Sequence, residues 1–149
     1  MSTSTRTPQP DSEPPVTVEM FVPNVEETMR WYETTLEFRT VHHEQGVFAA
    51  VQFEAVLLFF AAASHYHGKR ARGSDYDPSK AGHGVEIRIM VKDVNAFYER
   101  VRRQNLPVIM DIQSRYYGLR DFIFEDANGF HIRIASPTES EGQRKVGPR

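Results

Sequence analysis

Cysteine is absent from the 149 residues, which excludes disulfides, thiolate nucleophiles and cysteine-ligated zinc. An excess of charge of one sign is also lacking. The formal net charge is −2, which offers no electrostatic pull toward nucleic acid or an acidic membrane surface. No long hydrophobic run is present: the longest, Ala55–Ala63, is far short of the about 20 residues a spanning helix needs. The opening stretch MSTSTRTPQPDSEPP has no apolar secretion-signal core, so a cytoplasmic location is expected. Both ends are poor in apolar side chains. Residues 1–14 and 138–149 have too little to bury against the entropy of ordering them, and they are expected to be disordered tails.

What remains, residues 15–137, has the make-up of one packed domain. Across the chain 40% of residues are hydrophobic and 26% charged, as in an ordinary globule. This region contains an internal repeat. VTVEMFVPNVEETMRWYETTLEF, from Val16, parallels VEIRIMVKDVNAFYERVRRQNLPV, from Val85, when Val22 is set against Val91. Each copy reads as an alternating strand, an Asn or Asp able to cap a helix, and an amphipathic helix. Asn24 followed by Glu27 fits a capping box. Val25, Met29, Tyr32 and Leu36 share one face of the first helix; Val94, Phe97, Tyr98 and Val101 share one face of the second.

Strand signals follow each helix: FRTVHHE, VFAAVQF and AVLLFFAA after the first, PVIMDI, RDFIFED and FHIRIA after the second. Asn128-Gly129 between the last two is a strong hairpin signal, because both residues tolerate positive φ. The expected fold is α+β: two βαβββ modules, 15–63 and 84–137, with curved mixed sheets around a groove. The polar, glycine-containing stretch 64–83 between them is a mobile loop or a lid.

A sheet covered by a helix on one face leaves the other face open. By alternation the open face carries Thr17, Glu19 and Phe21 in the first strand of module one. In module two it carries Glu86, Arg88 and Met90, then His131 and Arg133 in the last strand, with Asp121, Ile123 and Glu125 joining across the hairpin. Phe130, Ile132 and Ile134 form the core-facing row. Glu19, Glu86, Arg88, His131 and Arg133 are therefore the candidate ligand-binding residues.

The repeat, the segment VPNVEETMRWYETTLEF and the segment YGLRDFIFEDANGF together resemble the vicinal oxygen chelate superfamily, which includes glyoxalase I, extradiol dioxygenases and fosfomycin- and bleomycin-resistance proteins. The likeness runs from Val16 to Ala135, and the final hairpin is most similar to the bleomycin-resistance branch. The resemblance implies a small-molecule ligand in a groove and a homodimer. Metal-dependent members place ligands at four strand positions, which carry over to Thr17, Leu58, Glu86 and Arg133. Of these only Glu86 is a good ligand; Leu58 has no lone pair, its same-face neighbours Val56 and Phe60 offer none, and Arg133 brings a fixed positive charge. The resemblance thus implies the fold without the family metal, and no cofactor is expected.

Glu86 and Arg133 fall on neighbouring strands and should pair. The pair is either a structural salt bridge filling a dead site or part of a ligand anchor, with Arg133 or Arg88 gripping an anionic or carbonyl group. Of the six histidines, His131 is the candidate general acid or base, or else a hydrogen-bonding wall residue. His65, His67 and His83 fall in the polar loop and His42 and His43 after the first helix, where solvation is the simpler reading. GKRARG lacks interleaved aromatics and reads as solvated loop. Gly118 reads as a turn glycine, Tyr116 and Tyr117 as cap or loop packing, and Trp31 as packing. Two functions stay open: a metal-free protein that sequesters an antibiotic or metabolite, and an enzyme of lyase, isomerase or dioxygenase type, with or without a divalent metal.

Overall fold

The structure is a computed structural model that describes residues 14–66 and 77–138. Nearly all of both expected tails, together with His67 and the GKRARG segment, lie outside the described residues. The elements run β1 (Val18–Val22), α1 (Val25–Leu36), β2 (Arg39–Glu44), β3 (Phe48–Phe53), β4 (Val56–Ala62), then β5 (Glu86–Met90), α2 (Val94–Arg103), β6 (Val108–Ser114), β7 (Leu119–Glu125) and β8 (His131–Pro137). Short 3-10 turns at Ala63–His65 and Pro78–Lys80 belong to the stretch between the two copies. The fold is α+β, and the chain divides into two compact units between Pro78 and Ser79.

In the first unit the sheet order is β1-β4-β3-β2. β1 and β4 are parallel and the other neighbours antiparallel. The helix begins where Asn24 leaves helical backbone and its side chain accepts from the Glu27 N–H at 2.9 Å, satisfying one of the free amides of the first turn. It ends at Glu37, which takes a left-handed φ of 62°. That reversal lets Phe38 N–H donate to the Tyr32 carbonyl and lays the Phe38 ring edge-on to Tyr32 at 5.2 Å. Val25, Met29, Tyr32 and Leu36 are buried as the 3.6 period predicts, with Phe60 against Tyr32 at 4.8 Å. Each such side chain contributes about 1.5–3 kcal/mol by leaving water.

The facing expected for β4 is corrected here. Leu58 and Phe60 are fully buried with Met20 and Val22, their register partners in β1 being Val18 and Met20. They belong to the helix side. Leu57, Phe59 and Ala61 take the open side with Glu19 and Phe21. The strand VLLFFAA is apolar at every position, so it has no alternation from which to read a phase.

The second unit repeats the plan with the order β5-β8-β7-β6. Asp93 caps α2 by accepting from Ala96 N–H at 3.1 Å. A second link comes from β8: the buried Ser136 hydroxyl accepts from Val94 N–H at 2.9 Å and donates to the Val91 carbonyl at 2.8 Å. This fixes the start of the helix against the last strand. Val94, Phe97 and Val101 are buried, with Phe122, Phe124, Ile132 and Ile134 facing them from the sheet. Tyr98, expected on that face, is half-buried. It packs edge-on to Phe122 while its hydroxyl reaches Asp111.

The hairpin at Asn128-Gly129 forms, but only Gly129 takes a positive φ, of 87°. Asp126 organises the turn, its carboxylate accepting from the N–H groups of Asn128 and Phe130, each at 2.9 Å. Phe130 lies in this turn, half-buried, rather than in the core row of β8. Among the described residues no helix is long and apolar enough to cross a membrane.

Candidate functional site on the open face of the second sheet

Register places the expected side chains on one face. β5 and β8 run parallel with Glu86 beside His131 and Arg88 beside Arg133. β7 adds Asp121 beside Ala135, Ile123 beside Arg133 and Glu125 beside His131. All lie opposite the row Ile87, Ile89, Ile132 and Ile134, which is buried under α2. β5 and β8 alternate up to Ile89 and Ile134 because their apolar and polar residues alternate, whereas in β7 the run Asp121–Phe124 is buried throughout.

Asp121 is the hub. Its side chain has no solvent exposure, yet it holds three partners: Arg115 Nε at 2.7 Å, the Tyr117 hydroxyl at 2.7 Å and Arg133 Nη1 at 2.9 Å. Two of these come from the β6–β7 turn. Gly118, with a φ of 84°, closes that turn by donating to the Arg115 carbonyl and so folds Arg115 and Tyr117 back over β7. Arg115 is braced further by Gln113 and by the Asp111 carbonyl. Burial alone would raise the Asp121 pKa, but the hydrogen bonds from Arg115, Tyr117 and Arg133 outweigh it and hold the carboxyl below its usual value. The Tyr117 hydroxyl is pushed up by burial and by its bond to Asp121.

Arg133 is the bridge from this hub to the open surface. Its Nε donates to Glu86 Oε1 at 2.5 Å and its Nη2 reaches Glu86 Oε2 at 3.4 Å. The bond to Glu86, opposed by burial and reinforced by Asp121, raises the guanidinium pKa further still. Arg133 is therefore a permanent cation shared by two carboxylates, one buried and one, Glu86, 39% exposed. His131 Nε2 lies 3.2 Å from Glu125 Oε1. Arg88 is exposed, and its side chain makes no hydrogen bond or ion pair among the described residues.

The fifth expected residue, Glu19, is exposed on the open face of the first sheet, in register with Phe59. That face is largely aromatic. Phe48 packs edge-on to Phe59 at 5.2 Å and lies 5.9 Å from His42, and Phe21 meets Tyr66 at 5.2 Å. His43 is exposed, as expected, and also bonds Glu26 at 2.9 Å. Glu26 also accepts from Gly46 N–H at 2.6 Å, tying the β2–β3 turn to α1.

The donor chemistry at the four inherited metal positions does not fit a divalent cation. Thr17 is exposed just ahead of β1, the open side of β4 offers Leu57 and Phe59, and the Glu86 carboxylate is already matched to a guanidinium. No group of three or more histidine or acidic side chains converges as a metal site among the described residues. Exchanging Leu58 for Leu57 and Phe59 replaces one side chain without lone pairs by two others.

Arg115 was not legible as part of this site. It precedes β7 in a turn with no periodicity, and only the fold of Arg115–Gly118 carries it to Asp121. Tyr117 was legible only as a cap or as loop packing.

Two βαβββ units, each with one sheet face covered by its helix and one left open, define the class of fold. The Glyoxalase/Bleomycin resistance protein/Dioxygenase superfamily profile matches residues 15–134, and the chain belongs to that superfamily. Similar solved structures include TioX from Micromonospora sp. ML1, with a TM-score of 0.63, 16% identity and coverage of 84% of this chain and 97% of that one. A glyoxalase/bleomycin resistance protein/dioxygenase from Nocardioides aligns with a TM-score of 0.65 and 18% identity over 91% of each chain. Lactoylglutathione lyase from Agrobacterium tumefaciens aligns with a TM-score of 0.60 and 13% identity over 83% and 94%. At these identities the likeness is one of fold. No curated protein matches the sequence significantly.

Proposed function

We propose that this chain is a metal-free small-molecule-binding protein whose polar anchors are Glu86, Arg88, His131 and Arg133 on the open face of the second sheet; Glu19, on the first sheet, is proposed separately as a ligand-binding residue. The captured compound is an antibiotic or a metabolite, and the protein acts by sequestration in the cytoplasm as a homodimer. One observation carries the reading: a fully buried carboxylate, Asp121, fixes Arg115, Tyr117 and Arg133 in place. Packed apolar residues would stabilise a sheet at least as well as buried ions. A charged network set on an uncovered face instead serves recognition, where polar groups held in advance lower the cost of binding.

Native mass spectrometry of protein purified under mild conditions tests this. The expected result is a non-protein mass carried by the wild-type chain, released by acid, and lost from Arg133→Met without loss of fold. A ligand-free wild type that also shows no thermal shift across a panel of small organic acids and amphipathic aromatics would overturn the reading.

The His131–Glu125 contact supports a second reading, an enzyme of the lyase or isomerase type. An imidazole steered by a carboxylate is suited to moving a proton. Turnover of the captured compound, abolished by His131→Gln with binding retained, would establish it.

A further inference from the structure

We infer that Glu86 is an exchangeable counter-ion on Arg133, an internal occupant of a carboxylate-binding site, and that the ligand enters by displacing it. This rests on the proposed binding role of the second sheet's open face and specifies the chemistry of the ligand there.

The two carboxylates on Arg133 are not equivalent. Asp121 has no exposed side-chain surface and is held additionally by Arg115 and Tyr117. Its departure would leave a buried charge and two donors without partners, a large penalty. Glu86 is 39% exposed, and among the described residues its side chain bonds only Arg133. An ion pair of that exposure is worth about 1 kcal/mol or less, so solvent or a competing anion can take its place. Asp121 is thus the fixed side of the guanidinium and Glu86 the replaceable side.

The pairing also defines the chemistry. Glu86 presents both oxygens to the Nε–Nη2 edge of Arg133, at 2.5 and 3.4 Å. This is the side-on fork by which a guanidinium takes a planar carboxylate. Met90, 42% exposed, lies further along β5 on the same face, so an apolar body attached to the carboxylate meets apolar surface.

The displaced Glu86 has a destination. Arg88 stands two residues along β5 on the same face, about 7 Å away along the strand, and lacks a partner among the described residues. Glu86 turning from Arg133 to Arg88 keeps each cation matched to one anion while the ligand occupies Arg133. The motion needs only rotamer changes, with no movement of the sheet.

Benzoate and its neutral analogue benzamide serve as probes on the full chain. Binding is followed by calorimetry and by the 15N resonance of the Arg133 Nε–H, assigned with Arg133→Lys. A site blocked by its own counter-ion binds with an affinity reduced by the fraction of time it is vacant. Glu86→Gln should therefore raise benzoate affinity about fivefold, the factor matching a pair worth about 1 kcal/mol. Glu125→Gln, which removes an equal charge from the same face, should change it far less. Benzamide should bind weakly to both. In the wild type, benzoate should move the Arg133 resonance toward its position in benzoate-bound Glu86→Gln.

Equal gains in Glu86→Gln and Glu125→Gln would reduce the effect to overall charge and overturn the exchange. Weaker benzoate binding in Glu86→Gln, or no response of the Arg133 resonance in either form, would also overturn it. A captured natural ligand with no anionic group would overturn the exchange while leaving the binding reading intact.

Discussion

Asp121 accepts from Arg133 at 2.9 Å across the β7–β8 hairpin, from a position with no solvent exposure. The contact ties an interior carboxylate to a cation that reaches the open face. It makes Asp121 the residue on which the geometry of the whole cluster depends.

Removing that charge should therefore be expensive. Asp121→Asn is expected to lose about 3–5 kcal/mol, the usual cost of breaking a buried pair from one side, measured by urea unfolding at pH 7. The folded pKa is lowered, so the charge contributes stability that is complete above the unfolded value of about 3.9. It disappears as pH falls below that value through the folded one. The gap between wild type and Asp121→Asn should narrow over that acid range. A gap of under about 1 kcal/mol at pH 7 would show that Asp121 is not the hub.

Arg133→Met leaves Asp121 with Arg115 and Tyr117 and returns Glu86 to solvent. Its stability should lie within about 1–2 kcal/mol of wild type, on either side. Arg133→Glu should be clearly less stable, because it sets a third carboxylate beside Glu86 and Asp121. The two variants compared by denaturant midpoint decide the matter, and equal midpoints would contradict the observed pairing.

Metal content follows from the donor set. Protein purified without chelator should hold nickel, zinc, manganese and iron at far below one ion per chain, and added chelator should leave its melting temperature unchanged. One ion per chain by plasma mass spectrometry, lost in Glu86→Ala, would refute the metal-free reading.

Glu26 offers an acid-dependent test away from the site. The Gly46 amide first, and His43 second, hold its pKa at about 2 against 4.5 for a free glutamate. A lowered folded pKa means stability that is present above 4.5 and lost as pH falls toward 2. Glu26→Gln should melt below wild type at pH 7, with the difference shrinking through that window. A difference independent of pH would mean that the charge of Glu26 plays no part.

Sedimentation equilibrium at micromolar concentration should give about twice the 17.2 kDa chain mass. A clean monomer would remove the homodimer from the proposed function.

The sequence by itself determined the elements whose residues alternate or repeat. EIRI in β5 and HIRI in β8 switch between apolar and polar at each position, so their facing, and with it the Glu86–Arg133 pair, was legible. Asn24 and Asp93 marked the two helix starts because a short polar side chain there meets free amides. The facing of β4 was not legible, since VLLFFAA buries well in either phase and only pairing with β1 chooses one. The role of Asp121 was beyond the sequence for a different reason. Alternation could place it on the open face, but its burial depends on a turn that folds Arg115 and Tyr117 over it, and on a register that brings Arg133 within reach. Periodicity fixes the direction in which a side chain points. Which charges meet, and which of them lose their water, is set by contacts between residues that no local pattern connects.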